Sequence, residues 1–350
     1  MKLALQLFCR DSQLGYFSKA TEQAGFASAW IPAHGYAALA HMVDATERIT
    51  IGSAIMPCMH APPVVHAREA MYLQQLSDGR FILGMGSQTK GQIRMQLGIE
   101  DPKPAIIGKE VLTLVRALMN RTEAPLRFKG EYFSVNLPGQ RSARSDHGVQ
   151  PPPLYYSGLN RINLRLSGEL SDGLVAHPIF TVRYFNEYAW PLVDEGLRRS
   201  GKARADFDMV AMPMLYIVDN DSEWEEAYRR CKRNLAMYFT TRAYGTYLDQ
   251  MGWTDVRLCI EASVKKAPYG GPFNYEELEQ CIPTEVAEEV CLIGTREQVL
   301  QKARERYEGL VDTMLLYVVG DAGASGEPEY NKKEEQMHRV LETFKSYKRG

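Results

Sequence analysis

Apolar residues along the chain alternate between short unbroken runs and longer runs with helical spacing. The run Arg80–Met85 has no polar alternation, which is typical of a buried parallel strand. A helical pattern ends just before it at Leu76, and a Ser-Asp-Gly turn lies between the two. Gly84 and Gly86 end the run and let another group approach the backbone closely. This helix-and-strand step predicts an α/β fold.

The same alternation extends over the chain and predicts eight strands with intervening helices. The predicted strands are Leu3–Phe8, Ser28–Ile31, Ile49–Ile55, Arg80–Met85, Leu154–Ser157, Gly173–Ala176, Met209–Val218 and Thr313–Val319. Such a series indicates a (β/α)8 TIM barrel, in which ligands bind at the C-terminal ends of the strands. A small antiparallel hairpin is predicted within residues 127–135.

The 350 residues exceed the roughly 250 that are typical of this fold. The excess lies in two insertions, at about 120–153 after strand 4 and at about 241–291 between strands 7 and 8. We find no linker composition between them, so we expect residues 1–350 to form a single domain.

Composition narrows the class of protein. With 45% hydrophobic residues the chain can bury a large core, and a formal net charge of −2 argues against a nucleic-acid or membrane-surface partner. No apolar run reaches transmembrane length, and the N-terminus opens into a strand rather than a signal peptide. We therefore expect a cytoplasmic protein.

The six cysteines show no CxxC or CxxH spacing. For that reason we expect no metal site, and we interpret these residues as reduced, buried thiols. They are Cys9, Cys58, Cys231, Cys259, Cys281 and Cys291.

Four stretches, in the same order and over nearly the whole chain, resemble the luciferase-like family of flavin- and deazaflavin-dependent oxidoreductases. They are Glu22–Pro32, Leu76–Ser87, Pro152–Asn160 with Leu166–Gly173, and Ile293–Val299. Within that family, Gly86–Lys90 and Leu126–Phe133 are similar to the branch that uses the deazaflavin coenzyme F420. The resemblance implies a TIM barrel with F420 or FMN as cofactor, the tricyclic ring lying across the barrel mouth.

In many members of this family a non-prolyl cis peptide at the end of strand 3 backs the ring. The matching residues are Ser53, Ala54 and Ile55, and Ala54–Ile55 is the candidate bond. Non-prolyl cis bonds are rare, so an ordinary strand end is the alternative interpretation.

The resemblance places the cofactor phosphate at Ser157, Gly158, Leu159 and Asn160. The residue types agree, because a strand ends there and a helix N-terminus with free N–H groups follows. Simple capping of the helix by Asn160 is the alternative. On the other side of the cofactor, the matching residues are Gly86, Ser87, Gln88 and Thr89.

Three histidines follow predicted strands. His34 matches the histidine that many family members place near the reactive face of the ring, where it donates a proton or positions the substrate. A solvated loop histidine is the alternative. His60 and His177 follow strands 3 and 6 and are candidate substrate contacts, with a structural role as the alternative. His66 lies within a predicted helix, and we interpret it as a packing or surface residue.

Two departures from the family pattern bear on the reaction. Ala37 and Ala38 stand where many deazaflavin enzymes have an aromatic residue, and the segment 87–92 lacks the acidic residue that many carry. These differences argue against sugar or sugar-phosphate dehydrogenase chemistry. Reductase and monooxygenase chemistry on an unknown substrate both stay open. Lys90, Arg94, Lys103 and Lys109 are candidates for holding an acidic cofactor tail, or form a solvated basic face.

The leading hypothesis is an oxidoreductase that uses reduced F420 for hydride transfer with a small organic substrate. One alternative is an FMN-dependent monooxygenase fed by a partner reductase, and another is a non-catalytic flavin-binding or partner subunit. A metal-dependent hydrolase on the same barrel is disfavoured, because no paired metal-ligand spacing occurs at a strand end. The family resemblance also implies a homodimer.

Overall fold

Parallel strands close into a barrel, because the first and last of them pair with each other. The computed structural model describes residues 1–32, 35–121, 124–139, 149–267 and 272–347. In chain order the strands of this part are β1 (Lys2–Gln6), β2 (Ser28–Ile31), β3 (Thr50–Ser53), β4 (Met56–Pro57), β5 (Phe81–Gly86), β6 (Leu126–Lys129), β7 (Ser134–Leu137), β8 (Leu154–Ser157), β9 (Gly173–Val175), β10 (Asp208–Ala211), β11 (Met214–Ile217), β12 (Leu292–Gly294) and β13 (Thr313–Val318).

The barrel order is β1-β2-β3-β5-β8-β9-β10-β13, and β13 pairs in parallel with β1 over five residues. This closed eight-stranded barrel with surrounding helices is a (β/α)8 TIM barrel, as the strand pattern predicted.

Helices surround the barrel and fill the insertion before the last strand. They are α1 (Leu14–Gln23), α2 (Tyr36–Asp44), α3 (Pro63–Leu76), α4 (Lys90–Leu97), α5 (Pro104–Met119), α6 (Arg161–Leu170), α7 (Val182–Tyr184), α8 (Trp190–Ser200), α9 (Trp224–Phe239), α10 (Gly245–Gln250), α11 (Thr254–Lys266), α12 (Tyr275–Gln280), α13 (Thr284–Val290), α14 (Arg296–Tyr307) and α15 (Glu327–Phe344). In the described part of the chain, no helix combines the length and apolar character needed to cross a membrane.

The prediction of one continuous seventh strand is wrong. The predicted run Met209–Val218 is divided into β10 and β11, and Pro213 lies between them. Proline has no N–H to donate to a strand ladder. After the break β11 still pairs with β13, but its other neighbour is β12 instead of β9. The three-residue β12 was not predicted, because so short a run directly before a capped helix resembles a loop.

Two aromatic rings fill the inside of the barrel, and glycines on the neighbouring strands make room for them. A Cβ atom on Gly52 would lie 2.4 Å from the ring of Trp30, and one on Gly173 would lie 2.9 Å from the ring of Tyr155. Trp30 is fully buried. The barrel is therefore a packed core, and a ligand can enter only at its ends.

The first insertion contains the predicted hairpin, which one buried carboxylate holds in place. β6 and β7 pair antiparallel, between Phe128 and Val135 for example. The carboxylate of Glu110 on α5 accepts backbone N–H groups from Glu131 at 2.5 Å and from Tyr132 at 3.0 Å. The hairpin is thereby fixed to the outside of the barrel.

The prediction of six reduced thiols is wrong for two of them. Cys259 of α11 and Cys281, the residue directly after α12, form a disulfide. They are 22 residues apart, and only the packing of the two helices brings them together. The other four cysteines are free and buried, as predicted.

Replacing Gly84 by alanine tests the contact between β3 and β5. A Cβ atom there would lie 2.0 Å from the backbone oxygen of Ser53, which has no room to move. We expect Gly84→Ala to lower the free energy of unfolding by at least about 2 kcal/mol, measured by urea denaturation. Gly91→Ala on α4 is the control, because a Cβ there meets nothing within 4 Å; it should stay within about 1 kcal/mol of wild type. Equal stability of the two variants would contradict this account.

Candidate functional site

The C-terminal ends of β3, β5 and β8 bring most of the predicted cofactor residues together. The end of β5 is in register with β8, so that Gly86 lies beside Ser157. Ser53 ends β3, and Ala54 and Ile55 follow it directly. We call this end of the barrel the mouth. His34, the predicted catalytic histidine, lies outside the described residues.

The end of β3 has the backbone form that the resemblance implied, because the Ala54–Ile55 peptide bond is cis. The side-chain nitrogen of Gln6 donates a hydrogen bond to the backbone oxygen of Ala54 at 3.2 Å. The other side-chain atom of Gln6, Oε1, is buried and has no hydrogen-bond partner within the described part of the chain. An acceptor that lacks a partner at the floor of the mouth points to a donor from a ligand.

The two glycines of β5 make room for the chain itself. A Cβ on Gly86 would lie 2.8 Å from the side chain of Ile55, and Gly84 faces the Ser53 backbone oxygen. The Ser53 hydroxyl accepts from the Gly84 N–H at 3.0 Å and donates to the Gly84 oxygen at 2.9 Å. The groups that approach these glycines are thus the end of β3 and Ile55 just beyond it, and the Ser53 hydroxyl holds β3 to β5.

The predicted phosphate site is a capped helix N-terminus. The side-chain oxygen of Asn160 accepts from the backbone N–H of Asn163 at 2.9 Å, so the capping interpretation is correct for this bond. Gly158 is required by helix packing, because a Cβ there would lie 2.3 Å from Cβ of Asn163. The N–H groups of the first turn, at Arg161 and Ile162, have no acceptor within the helix and suit an anion. Both residues are exposed at the surface.

Across the mouth, Ser87, Gln88 and Thr89 form the other predicted side of the site. Ser87 is buried, and its hydroxyl lies 3.5 Å from the side-chain nitrogen of Asn163, which links the end of β5 to α6. Gln88 has a φ of 62°, a conformation that non-glycine residues rarely adopt. Thr89 forms a capping box with Gln92 at the start of α4. The two sides of the predicted site therefore meet in one place.

Three of the four basic residues proposed to hold an acidic cofactor tail already have protein partners. Lys90 lies 3.1 Å from Asp101, and Lys103 lies 2.7 Å from Glu131. Arg94 donates to the backbone oxygen of Glu100 at 2.7 Å. These contacts favour the interpretation of a solvated basic face.

The two candidate substrate histidines differ in their exposure to solvent. His60 is exposed. His177 is enclosed: its Nε2 atom lies 3.1 Å from the hydroxyl of Tyr244, and the Tyr238 ring centre lies 4.8 Å from its own. Burial lowers the pKa of His177 to about 3, so the ring is neutral at pH 7. Because Tyr244 belongs to the second insertion, this contact brings that insertion to the mouth.

An aromatic wall beside β13 was missed in the sequence. Phe8 packs edge-on against Tyr317 with ring centres 4.6 Å apart, and the Tyr238 hydroxyl donates to the Tyr317 hydroxyl at 3.0 Å. Phe8, Tyr317 and Met237 line a cavity of about 260 Å³, together with charged groups that include Lys333. No local motif marks this wall, since its members come from three distant parts of the chain.

Tyr36 and His66 were also missed as a pair. The Tyr36 hydroxyl lies 2.5 Å from Nδ1 of His66, which is fully buried on α3 as the packing interpretation expected. In the sequence, the signal that could have pointed to this pair is a tyrosine directly after the loop that follows β2.

Within the residues that the structure describes, no cluster of three or more His, Cys, Asp or Glu side chains is arranged to hold a metal ion.

Known proteins resemble the chain over almost its full length. It is 26% identical over 351 residues to a putative coenzyme F420-dependent oxidoreductase of Mycobacterium tuberculosis, covering 92% of this chain and 96% of that protein. Its fold matches the coenzyme F420-dependent tetrahydromethanopterin reductase of Methanopyrus kandleri with a TM-score of 0.73, at 20% identity and with 98% and 97% of the two chains covered.

A second structural neighbour is the oxygenating constituent of 3,6-diketocamphane monooxygenase of Pseudomonas putida in complex with FMN. The TM-score is 0.67 at 17% identity, and 99% and 98% of the two chains are covered. The model of the luciferase-like monooxygenase family matches residues 12–313, a span that contains both sides of the site described above. The chain therefore belongs to the luciferase-like monooxygenase family of flavin- and deazaflavin-dependent oxidoreductases.

Proposed function

We propose that the protein uses reduced coenzyme F420, bound at the mouth, for hydride transfer with a small organic substrate. The observation that carries the proposal is Gln6 Oε1 at the floor of the mouth, an acceptor with no hydrogen-bond partner among the described residues. The exposed helix N-terminus at the rim supports it. The relative and the structural neighbour that are named as F420-dependent support the choice of a deazaflavin.

The residues present fit such a cofactor. The N–H groups of its ring suit Gln6 Oε1, an acceptor that no other described residue pairs with. Its phosphate suits the first turn of α6, where Ser157 and Asn160 flank free N–H groups. Bound there, a reduced deazaflavin supplies a hydride, and the protein's part is to orient the ring and exclude water. The wall of Phe8 and Tyr317 provides apolar surface for the substrate.

An FMN-dependent monooxygenase is the second candidate. One observation favours it: an FMN-bound monooxygenase has a similar fold. This function requires a flavin reductase as partner. In either case we propose that the protein works in the cytoplasm as a homodimer on a small molecule.

A paired binding titration decides between the two cofactors. The protein is mixed separately with oxidised F420 and with FMN in one buffer, and fluorescence quenching gives both dissociation constants. We expect F420 to bind at least ten-fold more tightly than FMN. Preference for FMN would support the monooxygenase, and oxygen consumption would be measured next. Failure to bind either cofactor would contradict both candidates.

Two variants of Asn160 separate helix capping from phosphate binding. Aspartate caps a helix about as well as asparagine, so Asn160→Asp should keep the stability of the protein while its negative charge repels the phosphate. We expect roughly a ten-fold weaker affinity for F420. Asn160→Ala should instead cost about 1 kcal/mol of stability and have a smaller effect on affinity. Unchanged affinity in Asn160→Asp would place the phosphate elsewhere.

A further inference from the structure

A buried hydrogen-bonded chain links the loops that follow β2 and β4. The hydroxyl of Tyr36 lies 2.5 Å from Nδ1 of His66, and Nε2 of the same ring lies 3.2 Å from the backbone oxygen of Cys58. His66 is fully buried, whereas Tyr36 is only partly buried at the start of α2. The histidine is thus held at both nitrogens inside the protein, and the tyrosine reaches its surface.

The partners determine where the protons lie. A backbone oxygen can only accept, so Nε2 of His66 carries the ring proton and donates it to Cys58. Nδ1 is then an acceptor, and it receives the single hydroxyl proton of Tyr36. The phenolic oxygen of Tyr36 consequently has no proton left to donate, and its remaining lone pairs accept hydrogen bonds only.

The chain of hydrogen bonds lies at the mouth. Cys58 is three residues beyond Ile55, and its N–H donates to the backbone oxygen of Gly86 at 2.8 Å. Gly86 in turn packs against Ile55. The pair therefore joins the same strand ends that form the predicted cofactor site.

The pair is neutral at pH 7. The pKa of His66 is lowered to about 4: burial is the main cause and the nearby His60 acts in the same direction, whereas the backbone oxygens of Cys58 and Ala61 raise it. Burial, together with the nearby Glu69 and Cys58, raises the pKa of Tyr36. Because His66 resists protonation, the pair is suited to orienting a ligand and not to taking up its proton.

We propose that Tyr36 is a specificity-determining residue whose phenolic oxygen accepts a hydrogen bond from a ring N–H of the bound cofactor. His66 is its positioning residue, which keeps the hydroxyl proton turned away from the ligand. Flavins and deazaflavins share an imide N–H in the ring, so both suit this acceptor. The inference rests on the proposed function only in placing that ring at the mouth.

The direction of the hydrogen bonds is tested first, in the protein without ligand. Nitrogen-15 NMR of labelled histidine distinguishes the two neutral tautomers, and loss of one signal set in His66→Asn assigns the residue. We expect His66 to carry its proton on Nε2 at pH 7. A proton on Nδ1 would overturn the proposal, because Tyr36 would then be free to donate to the ligand.

The ligand contact is tested with FMN and its N3-methyl derivative, which lacks the imide proton, and with F420. Wild type should bind FMN about five- to ten-fold more tightly than the methylated form, and Tyr36→Phe should bind the two within two-fold of each other. Tyr36→Phe should also weaken F420 binding several-fold. Discrimination that is unchanged in Tyr36→Phe would overturn the proposal.

Two variants of His66 separate positioning from folding. His66→Asn keeps an acceptor close to the position of Nδ1, whereas the similarly sized His66→Leu does not. We expect His66→Asn to preserve the discrimination between FMN and its methylated form, and His66→Leu to lose it. Equal discrimination in both would show that His66 does not position Tyr36. If wild type binds neither FMN nor F420, the proposed function and the ligand contact fail together, while the tautomer result still stands.

Discussion

The contact between the end of β3 and the middle of β5 is the constraint on which the mouth depends. The Ser53 backbone oxygen occupies the space in which any side chain at position 84 would lie, and the Ser53 hydroxyl bonds both backbone groups of Gly84. Because this junction is rigid and buried, it determines where Ala54 and Ile55 leave the strand. Ile55 then packs against Gly86, and Cys58 bonds to the same residue.

From this junction the rest of the site follows by direct contact. Gly86 is in register with Ser157, and the strand that ends there leads into α6. Asn163 of α6 packs against Gly158 and reaches Ser87, which closes the link back to β5. Most polar groups of the site are satisfied by such internal bonds. Among the described residues, Gln6 Oε1 and the N–H groups of the first turn of α6 lack such bonds and are available to a ligand.

The barrel could be predicted because each of its strands is a short, buried apolar run that needs no information from distant residues. Ser28–Ile31 and Leu154–Ser157 have the predicted bounds. The prediction of a cis bond at Ala54–Ile55 rested on the family resemblance, because the residue types themselves do not indicate one. What local patterns cannot contain is pairing between distant segments. The Cys259–Cys281 disulfide and the bond between Tyr36 and His66 both depend on the assembled fold.

The central claim is that a tricyclic cofactor lies at the mouth with its phosphate on α6. A crystal structure of the protein with reduced F420 tests it most directly. The account predicts density for the ring within hydrogen-bonding distance of Gln6 and Tyr36, and for the phosphate at Ser157 and Asn160. Density for the cofactor at another surface, with Gln6 Oε1 still unpaired at the mouth, would contradict it.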